Sequence, residues 1–409
     1  MSESRSLRVA VITNANLPIP PYYGYGGTQR GVYDFLVELN RKGHRCTLYA
    51  PLSSQVAHLE HVTLRGELPV GLWEPGNSYT AAQRVELNAR FIDYAIRDVQ
   101  SRDFDIVNVR SDEPGLLQRL METRHARRLV YSLHNVRCMA TLAPITERRV
   151  QCVAHCANHR RQYGELDNIR VIDYGINALE YPFSPHSLRQ SSQEPTLPVL
   201  RTLRERGQDY LVVLGSIRPE KGQRTAIELA RRAGLPLVIA GTPERRSSDQ
   251  FVRYFERHVQ PAVDNQHVFY FGNACEDDKK ELLKFAKGFL FPSGFEDRRW
   301  EEPFGRAPVE ALACGTPVIA FAHGSMLEVI EPGVSGFLFT TVDEALAQIG
   351  QLGQLDRAAA HHSAVTRFDR QRVADEYEAL FYELMARPPA VVPASWPMES
   401  ARAALMMTS

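Results

Sequence analysis

The chain has 409 residues, 44% of them hydrophobic and 23% charged, enough for two domains that each bury a core. Lys plus Arg equals Asp plus Glu at 48 each, so the chain lacks the basic excess that nucleic-acid binding needs, and the clusters at Arg124, Arg127 and Arg128 and at Arg204 and Arg206 read as solvated helix faces. No stretch approaches the roughly 18 apolar residues of a membrane span, residues 1–8 lack the apolar core of a signal peptide, and six cysteines are too sparse for a disulfide framework, so a cytoplasmic protein with no integral membrane segment is expected.

Residues 7–13 (LRVAVIT) form the kind of β-branched apolar run that a buried parallel strand needs. A Pro, Gly and Tyr-rich loop follows, then residues 28–42 place Val32, Phe35, Leu36 and Leu39 on one helical face, with Gly43 closing the helix. Residues 46–50 (CTLYA) are the next strand, which completes a βαβ unit. Helices are predicted over 91–100 and 116–121, and strands over 106–109, 129–133, 151–155 and 169–172. Cys152, His155, Cys156 and His159 fall in one short segment with no second ligand pair elsewhere, so they read as packing residues of a strand entering a helix, and no metal is expected.

Residues 178–208 are rich in Pro, Ser, Gln and Arg and have the character of a linker. A second alternating unit follows, with strands predicted over 210–214, 237–240, 268–271, 288–291 and 318–321. Helices are predicted over 223–233, 307–313, 326–330, 342–352 and 370–385, and a loose tail over 386–409. Alternation of this kind predicts an α/β chain with two Rossmann-like, doubly wound parallel-sheet domains. The boundaries read as 1–180, a linker 181–208, 209–370, a helix 371–386 that returns to the first domain, and a tail 387–409. A ligand then belongs in the cleft between the halves, at the carboxyl ends of the strands.

Four features converge on that cleft. The loop 215–222 (GSIRPEKG) joins a strand to a helix and brings Ser216, Arg218 and Lys221 to a helix N-terminus, a setting for phosphate. It lacks the G-x-x-x-x-G-K-S/T spacing of a Walker loop. Glu302 stands before Pro303, Phe304, Gly305 and Arg306, with Glu310 eight residues on, about two helical turns away on nearly the same face. Pro303 favours helix initiation there, Phe304 and Gly305 offer backbone N–H groups, and a carboxylate at Glu310 suits a vicinal diol such as ribose. Tyr25, Gly26, Gly27 and Thr28 form a second glycine loop at a helix start, and His134 with Asn135 follows a buried strand end. Taken singly, each also fits a plain turn or a satisfied core group.

Together these segments resemble the family-4 retaining glycosyltransferases of the GT-B fold. GSIRPEKG is similar to the family's G-R-L-x-P-E-K-G, and WEEPFGRAPVEALACGTPVIAF to its E-P-F-G-L-x-x-x-E-A-x-A-x-G-x-P-V-I-A. SMLEVIEPGVSGFLF, the YGGTQRGVYDFLVELNRKGHRCTLYA stretch against G-G-x-E-R and R-G-H-x-V, and IRVIDYGIN against V-I-x-N-G-I-D extend the likeness over residues 7–385.

The resemblance implies a hexose-type sugar moved, with retention, from a UDP- or GDP-linked donor to a hydroxyl of a small soluble acceptor, as in natural-product or cell-envelope glycoside synthesis. The nucleotide sugar is a co-substrate, and no separate cofactor is implied. Lys221 would neutralise the diphosphate, with Ser216 and Arg218 beside it. Glu302 would contact sugar hydroxyls, with Phe304, Gly305 and Arg306 around them, and Glu310 would hold the ribose. Gly26 and Gly27 would approach the phosphates, and His134 would lie at the reacting sugar. Tyr25, Thr28, His134 and Asn135 would face the acceptor.

Three positions depart from the pattern: Ser216 for an arginine, Gln29 for a glutamate and Arg306 for a leucine. The segment Glu296, Asp297, Arg298, Arg299 before Trp300 bears on donor choice, and Asp297 with Glu301 raises a metal, which the family mostly does without. Two further readings remain: a GT-B sugar-nucleotide epimerase, against which the two glutamates speak, and a binding protein without turnover, which Ser216 and Gln29 keep open. A monomer or homodimer is expected.

Overall fold

A computed structural model describes residues 5–22, 26–74, 76–113, 115–134, 150–164, 166–243 and 249–387. Tyr25 and Asn135, two of the predicted site residues, lie outside these.

The first half builds a seven-stranded sheet in the order β3-β2-β1-β4-β5-β6-β7. Its strands are β1 (Arg8–Thr13), β2 (Arg45–Tyr49), β3 (Val62–Arg65), β4 (Ile106–Arg110), β5 (Leu129–Ser132), β6 (Gln151–Ala154) and β7 (Ile169–Val171). All pairings are parallel, with Val9 opposite Ile106 and Ile12 opposite Val109 at the centre. The second half repeats the design in six parallel strands, ordered β10-β9-β8-β11-β12-β13. These are β8 (Leu211–Leu214), β9 (Leu237–Ala240), β10 (Val268–Gly272), β11 (Gly288–Phe291), β12 (Val318–Phe321) and β13 (Gly336–Phe339). In each sheet the order reverses beside the first strand, between β1 and β4 and between β8 and β11. That switch point opens a crevice at the strand carboxyl ends.

Each sheet is covered on both faces. Val9 and Val11 of β1 face a core shared with Phe35, Leu36 and Leu39, while Ala10 and Ile12 face Phe91, Ala95 and Val99. The helix Arg370–Ala386 does not pack on the second domain that precedes it. Its Val373, Tyr377, Leu380 and Phe381 are buried in the first domain's core beside Phe35. Within the segment 181–208, the helix Pro198–Glu205 forms and buries Leu200 and Leu203 against Tyr210 and Val212 of the second domain.

Several elements differ from the sequence expectation. β3 escapes the apolar pattern because it is an edge strand with Thr63 exposed and Val62, Leu64 and Arg65 only half-buried. β13 carries only two fully buried residues and sits at the other edge. The helix Ala81–Ser101 begins ten residues before the expected 91, because its first half lies on the surface and only Phe91 onward is buried. The Arg306–Ala313 helix starts three residues past Pro303, with Pro308 inside its first turn.

Candidate functional site

A cleft of about 330 Å³ lies between the domains. Lys221, Glu302 and Glu310 from the second domain line it, as do Gly26, Gly27, Thr28 and His134 from the first. Ser216, Arg218, Phe304, Gly305 and Arg306 share its wall. Every predicted site residue that is described therefore borders one cavity.

Local backbone explains how. Gly26 (φ 109°) and Gly305 (φ 85°) are the N-caps of the helices Gly27–Arg41 and Arg306–Ala313, and both sit in the left-handed region where a side chain is strained. Being glycines, they place no capping side chain over the first-turn N–H groups. Two uncapped helix N-termini, one from each domain, thus border the same space, and both favour negative charge. The Glu302 to Gly305 loop is pinned from below, since Ser325 donates its N–H to the Glu302 carbonyl (3.1 Å) and its hydroxyl to the Phe304 carbonyl (2.8 Å).

The electrostatic centre is an ion pair. Lys221 Nζ lies 2.5 Å from Glu302 Oε2. Ser293 Oγ (3.1 Å) and Trp300 Nε1 (3.4 Å) donate to the same oxygen. Among the described residues nothing donates to Oε1, so one carboxylate oxygen remains for a ligand hydroxyl. Burial opposes the Glu302 charge, but the Lys221 ammonium and these hydrogen bonds outweigh it and hold the pKa below the ordinary carboxylate value. Trp300, absent from the predicted site, is the platform: the Arg218 guanidinium lies 4.5 Å and Lys221 Nζ 5.2 Å from its ring centre. Arg218 also pairs with Glu220 at 3.2 Å. Ser216 contributes its backbone, accepting from Gln223 Nε2 at 2.9 Å.

Glu310 sits deeper. Its Oε2 is 3.0 Å from Lys279 Nζ and its Oε1 3.5 Å from Arg306. Burial opposes this charge too, yet Lys279 and Arg306 pull the pKa down to about 2. Lys279 has no motif around it in the sequence, standing in the charged run Asp277, Asp278, Lys279, Lys280, Glu281. It is in fact 3% exposed and also reaches Glu276 (3.0 Å) and Tyr181 (3.3 Å).

Arg306 lines the cleft, and its guanidinium also crosses to the first domain, donating to Asp34 (3.0 Å) and to the Gly175 carbonyl (2.8 Å). Arg30 reaches the other way, to Glu276 at 3.0 Å. Gln29 is buried and donates to Asn14 Oδ1 at 3.1 Å. The two acidic groups that raise the question of a metal are occupied by protein. Asp297 pairs with Arg299 at 2.9 Å, and Glu301 accepts from Asn158 (3.0 Å) and Gln162 (2.8 Å) across the domain boundary. In the Cys152 to His159 segment, Cys156 Sγ caps its helix by accepting from the His159 N–H at 3.2 Å.

Comparison with known proteins covers both halves. The family model for Glycosyltransferase Family 4 matches residues 25–178, and that for Glycosyl transferases group 1 matches residues 201–353. A D-inositol 3-phosphate glycosyltransferase of Salinispora arenicola is 26% identical over 241 residues, covering 52% of this chain and 51% of the relative. The chain spans between 34% and 51% of the length of the first curated relatives it matches. Among solved structures, AviGT4, a glycosyltransferase involved in avilamycin A biosynthesis, superposes with a TM-score of 0.65 at 20% identity over 93% of this chain and 99% of its own. Anabaena Alr3699/HepE in complex with UDP and glucose superposes with a TM-score of 0.66 at 18% identity, over 92% of this chain and 100% of its own. At these identities the likeness establishes the GT-B fold.

Proposed function

The chain belongs to the family-4 glycosyltransferases of the GT-B fold, and from that premise we propose that it moves a hexose-type sugar, with retention of configuration, from a nucleoside diphosphate sugar to a hydroxyl of a small acceptor. The observation that carries this reading is the Lys221–Glu302 pair set between two uncapped helix N-termini.

A diphosphate fits there for a physical reason. It carries negative charge that needs compensation on several sides in a partly dry site. Lys221 and Arg218 supply cations, and the helix starting at Gly27 supplies N–H groups from the opposite wall. The free oxygen of Glu302 accepts a sugar hydroxyl, which fixes the sugar relative to the diphosphate. Phe304 and Gly305 offer N–H groups on the same side. Glu310 accepts from the ribose, sharing the oxygen that Arg306 approaches only at 3.5 Å. The base is uracil or guanine, and one structural neighbour carries UDP and glucose.

Retention follows from the order of bonds. The bond from the anomeric carbon to the diphosphate oxygen breaks as the acceptor oxygen attacks from the same face. The acceptor proton passes to the departing diphosphate oxygen. The protein then needs no strong general base, and its work is positioning and stabilising charge on the leaving group. Thr28 and His134 border the space left for the acceptor.

A thermal-shift panel of UDP- and GDP-sugars, followed by measurement of nucleoside diphosphate release with and without candidate acceptors, tests the proposal. A bound ligand raises the apparent stability, and acceptor-dependent release identifies transfer. Binding without release would leave a sugar-nucleotide binding protein in place of a transferase.

A further inference from the structure

Three successive strand ends of the first domain deliver three rings to one place. His134 follows β5, His155 follows β6 and Tyr174 follows β7. His134 stacks on His155 at 5.2 Å between ring centres, with 25° between planes, and Tyr174 lies 4.0 Å from His155. Tyr174 also packs on Phe304 of the second domain at 5.5 Å. In the family pattern this position is asparagine, whereas here the phenol Oη hydrogen-bonds His134 Nδ1. His134 Nε2 is buried and has no partner among the described residues, while the residue itself lines the cleft.

The protons can be assigned chemically. His155 Nδ1 faces the Ile172 carbonyl at 3.0 Å, and a carbonyl only accepts, so that nitrogen carries the hydrogen. At His134 the partner is a phenol, a stronger acid than an alcohol, and a bare imidazole nitrogen is a stronger acceptor than a hydroxyl. The best pairing therefore has the phenol donating to Nδ1. Nδ1 is then bare and the ring proton sits on Nε2.

We propose that Tyr174 is a positioning residue that locks His134 as the Nε2–H tautomer and so presents a neutral hydrogen-bond donor to the sugar being transferred. The role toward sugar rests on the transferase reading above; the tautomer does not. Neutrality has its own cause: burial, with His155, Arg110 and His159 nearby, holds the His134 pKa well below the ordinary value. A neutral ring has two tautomers, only one of which donates at Nε2.

The test uses the full chain labelled with ¹⁵N-histidine, its His134 signals identified by their loss in His134→Gln. The wild type should show a single neutral Nε2–H tautomer, and Tyr174→Phe should show a mixture of the two. In parallel, nucleoside diphosphate release is measured from UDP-glucose, UDP-N-acetylglucosamine and GDP-mannose. Tyr174→Phe should lower kcat about tenfold and leave KM within about threefold. The Tyr174→Phe, His134→Ala double variant should be no slower than His134→Ala alone, since Tyr174 acts through the ring. A wild-type proton on Nδ1, an unchanged spectrum in Tyr174→Phe, or additive losses in the double variant would each overturn the proposal. Turnover of none of the three sugars, with the Nε2–H tautomer present, would count against the transferase reading and against the role toward sugar, and would leave the tautomer standing.

Discussion

At the scale of single residues, the site is a set of opposed charges that largely satisfy one another before any ligand arrives. Glu310 shows this best. Its carboxylate answers two cations, Lys279 and Arg306, whose side chains are 4% and 9% exposed. Glu310→Gln should therefore cost about 3 kcal/mol at neutral pH, because it leaves buried positive charge without its partner. The pH dependence has a definite sign. A carboxylate whose folded pKa lies near 2, against roughly 4.3 unfolded, contributes stability that is fully present above the unfolded value and disappears as pH falls toward about 2. Urea unfolding of wild type and Glu310→Gln should differ at pH 7 and converge toward the acid end, and a constant difference down to pH 2 would refute the assignment. The two glutamates and Lys221 were legible in the sequence because their spacing sits in a specific motif. Lys279, Trp300 and Tyr174 were not, since a lysine in an acidic helix, a tryptophan in a charged loop and a tyrosine after a strand all have ordinary explanations until three dimensions bring them to one cavity.

At the scale of elements, strands buried on both faces were the easiest to read. β1, β9 and β11 are near-continuous apolar runs, and the sequence placed them within a residue or two. The edge strand β3 was missed because an edge need bury only part of its surface, whereas β13 carries the same Gly-Phe-Leu-Phe run as β11 and was equally readable. Short helices such as Glu276–Lys284 were missed because their polar faces outnumber their apolar ones. The helix Arg370–Ala386 has the clearest energetic consequence. Phe381 is fully buried in the first domain's core, 6.3 Å from the Phe35 ring and 6.0 Å from the Tyr377 ring. Phe381→Ala should cost about 3–5 kcal/mol through lost burial and the cavity it leaves. Denaturant titration would register that loss, and a change under ~1 kcal/mol would show that this helix does not hold the first domain together.

At the scale of the whole molecule, charged contacts cross between the domains beside an apolar seam in which Tyr174 and Ile176 pack with Phe304 and Phe368. Arg306 reaches Asp34, Arg30 reaches Glu276, and Glu328 accepts from the N–H groups of Ala157 (2.8 Å) and Asn158 (2.6 Å). Contacts of this kind permit relative domain motion. Arg306→Met keeps the volume and removes the bridge, so it should raise the radius of gyration in small-angle scattering without ligand and raise donor KM by several-fold. Unchanged scattering would place closure elsewhere.

The central claim is that Lys221 and Glu302 mark a diphosphate-sugar site, and calorimetric titration of wild type and Lys221→Ala with UDP- and GDP-sugars tests it most directly. Saturable 1:1 binding of at least one of them is expected, weakened on the order of 30-fold, ~2 kcal/mol, in the variant, with a lower melting temperature because only Ser293 and Trp300 then offset the burial of Glu302. Equal affinity in the two proteins, or binding of none of the sugars, would contradict it.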